Sequence, residues 1–375
     1  MITEAEALGD IAGTRRAIEA SEFDAIVVAS PENVKYISDV EISTQRSIRD
    51  RLALIVWAKG RAPVFVLCQV EEGYVRQEGW ITDIRPFKEF VTAPMDLVVE
   101  VLRELGLSAG HIGIETEYLA AKYANALTAQ LPQARLGPCD NLMRRVRAFK
   151  TPRELDVIAR GFRATERALH TTFSAVKVGC DEHSLVRRLT SEIMLSGADS
   201  VSFTHINAGP NTGFPHAAPT GYQVRPGDIV KADCGGMYRG YPSNIGRTAK
   251  VGPPTPEELD TWKRLREIHH AVADLLRPGN SGRQLFELAT TLHARHKIPF
   301  PYAHNGHSVG LEIHEHPIIS PHDARVYEPG MISTVETRVR WVGLKGLHME
   351  DLYLITEGAP QLLTTAFDNE EIMVI

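Results

Sequence analysis

The sequence predicts an α+β protein: a smaller α/β unit over residues 1–150, then a larger domain over 151–375 in which helices cover antiparallel strand pairs. Three observations predict it. Strand-like apolar runs alternate with helical patterns through roughly the first 140 residues. Composition turns basic at Asn141–Lys150 (Arg144, Arg145, Arg147, Lys150), just before a helix-start signal at Thr151-Pro152-Arg153-Glu154. The C-terminal half then carries two pairs of extended runs, each folding back about a Gly-containing turn.

Residues 3–21 predict an opening helix with Ile11 and Ile18 two turns apart on one face. Phe23–Ala29 (FDAIVVA) is a compact apolar strand, and SPENVKYISDV a turn with a short helix. Arg51–Trp57 and Pro63–Cys68 are strands joined about Lys59-Gly60; helices at Pro94–Leu105 and Ala120–Leu131 flank a strand at Ile112–Glu115. The basic run reads as a solvated connection or an interface. Beyond it come helices near 152–176 and 182–195, extended segments at 201–208 and 228–251, and helices near 256–276 and 281–296. No internal repeat or low-complexity tract stands out, though two similar helix-hairpin halves are conceivable.

A 375-residue chain, 43% hydrophobic and 23% charged, is ordinary for a soluble globular protein with two cores. The net charge of −6 offers no electrostatic footprint for nucleic acid. No apolar stretch of about 18 residues predicts a membrane span, and the N-terminus MITEAEALGD lacks a charged-then-apolar leader layout. A cytoplasmic location is the expectation. Four scattered cysteines (Cys68, Cys139, Cys180, Cys234) suggest small buried thiols rather than a disulfide framework or zinc knuckle.

The chemistry concentrates in the paired runs. In Asp228–Gly252, a hairpin symmetric about Tyr238-Arg239 sets Asp233 directly opposite Asn244 on one face. Thr334–Arg338 and Leu347–Leu354 make a second hairpin whose symmetry about Gly343 brings Glu336 opposite Glu350. Between them, His304-Asn-Gly-His307 supplies a nitrogen ligand. Carboxylates with one imidazole suit Mn, Fe, Co or Zn in a reactive site rather than a structural zinc. Such an ion lowers the pKa of a bound water and makes a nucleophile for amide or other C–N bonds.

GPNTGFPHAAPT, PGDIVKADCGGMYRGYPSNIGRT, GHSVGLEIHEHP, TVET and HMEDLYLITEGAPQLLT resemble the pita-bread metallopeptidase family, which includes aminopeptidase P, prolidase and the non-peptidase creatinase. The resemblance spans the chain. It implies a pita-bread catalytic domain over 151–375 and a creatinase/prolidase-type N-terminal domain over 1–150. It implies Asp233, Asn244, His307, Glu336 and Glu350 at the metal positions, with Glu336 also accepting the water's proton. His216 and His314 match catalytic histidines at the scissile bond. A small-molecule or dipeptide substrate, no nucleic-acid or membrane partner, and a homodimer are further implications. The polar segment Glu41–Arg51 lies where a loop would cover a partner's cleft.

Departures from the family pattern sharpen the reading. Asn244 stands where the family has a bridging aspartate, and an amide offers only one ligating oxygen. Three carboxylates compensate one divalent ion better than two, so one ion per chain is expected. Glu336-Thr337-Arg338 replaces a Glu-Pro-Gly, His348 replaces an arginine, and Ala303-His304 displaces a histidine by one position. His304, Arg338 and His348 are therefore expected to meet substrate. The function expected is an Xaa-Pro dipeptidase-like hydrolase of a small amide. A metal-free, creatinase-like hydrolase of a guanidino or cyclic amide compound is the alternative, and a non-catalytic binding protein a third reading.

Overall fold

The computed structural model describes residues 2–48 and 50–375. The chain divides into two compact units, Met1–Arg147 and Ala148–Ile375. In the first, β1 (Ala25–Val28), β2 (Leu54–Ala58), β3 (Val64–Cys68), β4 (Asp83–Phe87), β5 (His111–Ile114) and β6 (Arg135–Pro138) form one mixed sheet in the order β4-β3-β2-β1-β5-β6. β1, β2 and β3 are buried along their whole length, the pattern of strands covered on both faces. Helices α1 (Ile11–Ala20), α2 (Pro31–Ser38), α3 (Ser43–Ser47), α4 (Glu72–Glu78), α5 (Pro94–Glu104) and α6 (Ala121–Gln130) connect them. The opening helix starts later than the sequence predicts, because Asp10 caps it by accepting a hydrogen bond from Gly13 N at 2.7 Å. Arg49, within the segment expected to cover a partner's cleft, lies outside the described residues.

The basic run is only partly solvated: Arg145 is exposed and Arg144 half-buried, whereas Arg147 and Lys150 are buried. It lies in α7 (Asp140–Ala148), where Arg147 is buried and donates to Asn33 Oδ1 at 2.9 Å. Just beyond it, Lys150 is buried in the second unit and pairs with Glu315 at 2.8 Å.

The second unit consists of two similar halves, and the repeat is written in the sequence. TPRELD at 151–156 recurs as TPEELD at 255–260. Thr151 and Thr255 each close a capping box with the glutamate three residues on, Glu154 and Glu258. They start α8 (Pro152–Ser174) and, after α9 (Glu182–Leu195), α10 (Pro256–Asp274) and α11 (Gly282–His296). The first helix pair is followed by β7 (Ser200–Ala208) and the hairpin β8 (Ile229–Tyr238), β9 (Tyr241–Pro242) and β10 (Ile245–Lys250). After the second pair come β11 (His307–Ser308) and β12 (Glu315–Ile318), then the hairpin β13 (Ile332–Trp341) and β14 (Lys345–Leu354), with short β15 (Gln361–Leu362) and β16 (Met373–Val374) closing the chain.

Alternation along β13 separates core from site. Val335 and Val339 join Trp262, Leu265, Ile268 and Val272 of α10 in the core, leaving Glu336, Arg338 and Arg340 on the opposite face.

Candidate active site

The second hairpin holds the expected register: Glu336 pairs with Glu350, and Arg338 with His348. In the first, Asp233 pairs with Gly246 rather than Asn244, and Met237 with Pro242. Arg239 and Gly240 form the two-residue turn, with φ of 53° and 84°, so the hairpin is centred one residue later than its symmetry about Tyr238-Arg239 predicts. Both turn residues having φ > 0 matches the right-handed twist of the strands. Asn244 becomes Asp233's diagonal neighbour and keeps the same face, because the partner shifts by two positions. On its other side Asp233 pairs with His205 of β7.

Thr248 joins the two hairpins: its hydroxyl donates to His348 O and accepts from His348 N, both at 2.9 Å. A Cβ at Gly246 would stand 2.6 Å from the His348 ring, so only glycine admits the imidazole there. Arg247, fully buried, bonds Glu166 at 2.7 Å, Asp351 at 2.8 Å and the Glu350 carbonyl.

Asp233, Asn244, Glu336, His216, His304, His314 and Arg338 line one cavity of about 480 Å³. Glu350 and His307 are buried behind Asn244, whose Nδ2 donates to Glu350 Oε1 at 3.1 Å and faces His307 Nε2 at 3.3 Å. His307 Nδ1 lies 3.0 Å from the Ser308 carbonyl. A carbonyl only accepts, so Nδ1 carries the proton and Nε2 keeps its lone pair. The His314 ring packs on His307 with centroids 4.0 Å apart. His216 Nε2 lies 3.7 Å from Asp233 Oδ2.

His348 departs from the role expected of it. It is fully buried with Nε2 3.0 Å from Glu336 Oε1, where it braces that carboxylate instead of meeting substrate. Arg338 Nη1 lies 2.6 Å from Glu336 Oε2. His304 sits 3.5 Å from the same oxygen and accepts from Arg338 Nη2 at 3.3 Å.

These contacts fix the charges. Burial would raise the Glu336 carboxyl, but the Arg338 charge and the His348 contact hold it well below the ordinary carboxylate range. Glu350 goes the other way: burial, then the nearby Glu336 and Asp233, push it well above. Burial lowers His304 to about 4 and His307 to about 3, leaving both neutral and able to accept or ligate.

The donors suit a cation. Asp233 Oδ1, Asn244 Oδ1 and Glu350 Oε2 are buried without a hydrogen-bond partner among the described residues, a costly state that a bound ion relieves. Ligand atoms of Asp233, Glu336 and His348 lie within 4.8 Å of one another. Carboxylate and amide oxygens of this kind are suited to a divalent ion.

Two buried positioning groups and two cavity-lining residues lie outside the motifs read from the sequence. Buried Lys231 donates to the carbonyls of Phe214 (2.5 Å) and Pro215 (3.3 Å), seating the residues just before His216. Buried Glu182 accepts from Ala208 N, Asn211 Nδ2 and Thr220 N and Oγ1, closing the loop that bears His216. Tyr302 and Arg340 also line the cavity. The capping position of Asp181 and the Asn211/Thr220 pair were the traces of the Glu182 anchor.

Residues 156–357 match the model of metallopeptidase family M24, and residues 11–149 that of the creatinase/prolidase N-terminal domain. The chain is 25% identical over 349 residues to an Xaa-Pro dipeptidase of Pyrococcus horikoshii, covering 92% of this chain and 94% of that protein. It is 29% identical over 227 residues to the Xaa-Pro dipeptidase of Pyrococcus furiosus, covering 60% of this chain and 65% of that protein. Among solved structures, an Xaa-Pro dipeptidase from Bacillus anthracis superposes with a TM-score of 0.85 at 23% identity, covering 97% and 99% of the two chains.

Proposed function

Because this chain belongs to metallopeptidase family M24, we propose that its cavity hydrolyses a small amide, of the dipeptide kind that its Xaa-Pro dipeptidase relatives are named for. Asp233, Asn244, His307, Glu336 and Glu350 would hold one divalent ion from among Mn, Fe, Co and Zn. That ion would supply a water of lowered pKa and polarise the scissile carbonyl.

The chain's own residues do the rest. Glu336 is kept ionised by Arg338 and His348, so it can receive the water's proton. His216, open to the cavity beside Asp233, would meet the oxyanion as it develops, and His314, whose tilted ring packs on His307, would carry a proton toward the leaving amine. The observation that carries the reading is the trio of buried oxygens on Asp233, Asn244 and Glu350 that lack a hydrogen-bond partner among the described residues. A homodimer in the cytoplasm is the setting proposed.

Elemental analysis of protein purified without chelator, beside turnover of a dipeptide panel, tests it. The expected result is about one ion per chain, lost in His307→Ala together with hydrolysis. No ion under any metal supply would overturn the reading in favour of metal-free chemistry. That second reading draws on the way Arg338 and His348 already occupy both oxygens of Glu336.

A further inference from the structure

One wall of the cavity carries a guanidinium, Arg340, that the hydrolytic centre does not use, beside Arg338, which it uses in part. β13 sends Glu336, Arg338 and Arg340 onto one face, so the two guanidiniums leave the strand about 6.5 Å apart. Both sit against one ring, with Cζ 4.4 Å (Arg338) and 5.3 Å (Arg340) from the Tyr302 centroid. Arg338 is partly engaged by Glu336 and His304. Its Nε and the Nε of Arg340 are buried without a hydrogen-bond partner among the described residues.

Charge points the same way. Arg338 and Arg340 place two guanidiniums in the cavity that Asp233 and Glu336 also line, and a divalent ion held there would add to that positive charge. Burial and then Arg338 lower the pKa of Arg340, as expected of a cation short of anions. Paired guanidiniums with free Nε atoms are suited to carboxylates.

We propose that Tyr302, Arg338 and Arg340 form an anion subsite that takes a second carboxylate of the substrate. The preferred substrates are then small amides whose amine half is a dicarboxylic amino acid. Which bond is cleaved rests on the hydrolase reading; the binding preference does not.

Calorimetric titration of the metal-loaded protein with L-glutamate and L-glutamine tests it, since the two differ only in the second carboxylate. Glutamate is expected to bind at least about tenfold more tightly. Arg340→Gln abolishes that preference, and Arg340→Lys, which keeps the charge, retains most of it. Equal affinities in the unaltered protein, no binding of either compound, or a preference that survives in Arg340→Gln would overturn the subsite. Selective glutamate binding without hydrolysis of any dipeptide would sink the hydrolase reading and keep the subsite; hydrolysis without the preference would do the reverse.

Discussion

The two hairpins of the second unit are copies of one device with different cargo. The first brings Asp233 and Asn244 to the cavity on a diagonal; the second brings Glu336 and Glu350 in direct register. One half has Asn244 where the family resemblance implies an aspartate, and the other has a guanidinium 2.6 Å from its glutamate. Both changes shift the site toward positive charge. The lesson is that a two-fold scaffold lets each half change charge separately while the backbone stays the same, because the register is set by the turn and the buried face, not by the acids.

The largest effect expected on this comparison comes from undoing both changes. Asn244→Asp alone should still bind about one ion, because Arg338 keeps its place on Glu336. The double variant Asn244→Asp/Arg338→Gly should bind about two, since a fourth carboxylate then faces two divalent cations. Elemental analysis decides it; two ions in the single variant would show that Arg338 is no barrier.

A smaller effect isolates the first half. Lys231→Met removes the donor to the Phe214 and Pro215 carbonyls and lets His216 drift. An ångström of misplacement costs about 10²-fold in rate, so kcat/KM should fall by about that factor while the ion content is unchanged. Loss of the ion in this variant would mean that Lys231 supports Asp233 instead.

The smallest effect compares the matching capping glutamates. Burial pushes Glu154 up to about 7, with Tyr241 as its side-chain donor at 3.1 Å. Burial opposes ionisation of Glu258 too, but Lys250 at 2.9 Å holds it below the ordinary value. A raised carboxyl costs stability once pH rises through its folded pKa; a lowered one stabilises above the unfolded pKa and loses that contribution as pH falls. Glu154→Gln should therefore be near neutral at pH 5 and stabilising by about 1 kcal/mol at pH 8.5. Glu258→Gln should destabilise by about 1 kcal/mol at pH 7 and less near pH 3. Thermal melts across pH check both, and matching signs would end the contrast.

Much of this site was legible because the chemistry lies on hairpins. Turn residues and period-two alternation determine which side chains share a face, so Glu336 and Glu350 could be paired from their spacing about Gly343. The first hairpin was misread by one residue because Arg239, a residue that seldom adopts positive φ, occupies a left-handed turn position. His348 could be located on the strand but not in depth, since its burial depends on Gly246 of a neighbouring strand. Lys231 and Arg340 alternate like any strand residues, and only the tertiary fold shows one beneath a loop and the other inside a cavity. The TPRELD/TPEELD repeat is a faint signal in the sequence, because five shared residues in a six-residue stretch mean little until both are seen to cap matching helices.

Arg247 has a consequence in time rather than in space. It fastens β10 to Glu350 and Asp351, residues 103 and 104 positions further along the chain. Each hairpin closes over a short loop, whereas this junction must wait for a long one, and contacts between distant segments form slowly. The cavity therefore exists only once both halves have met, and an ion can select only that assembled state. By mass action a bound ion would stabilise that state by an amount its free concentration sets, so the apparent stability of the second unit would rise with metal supply.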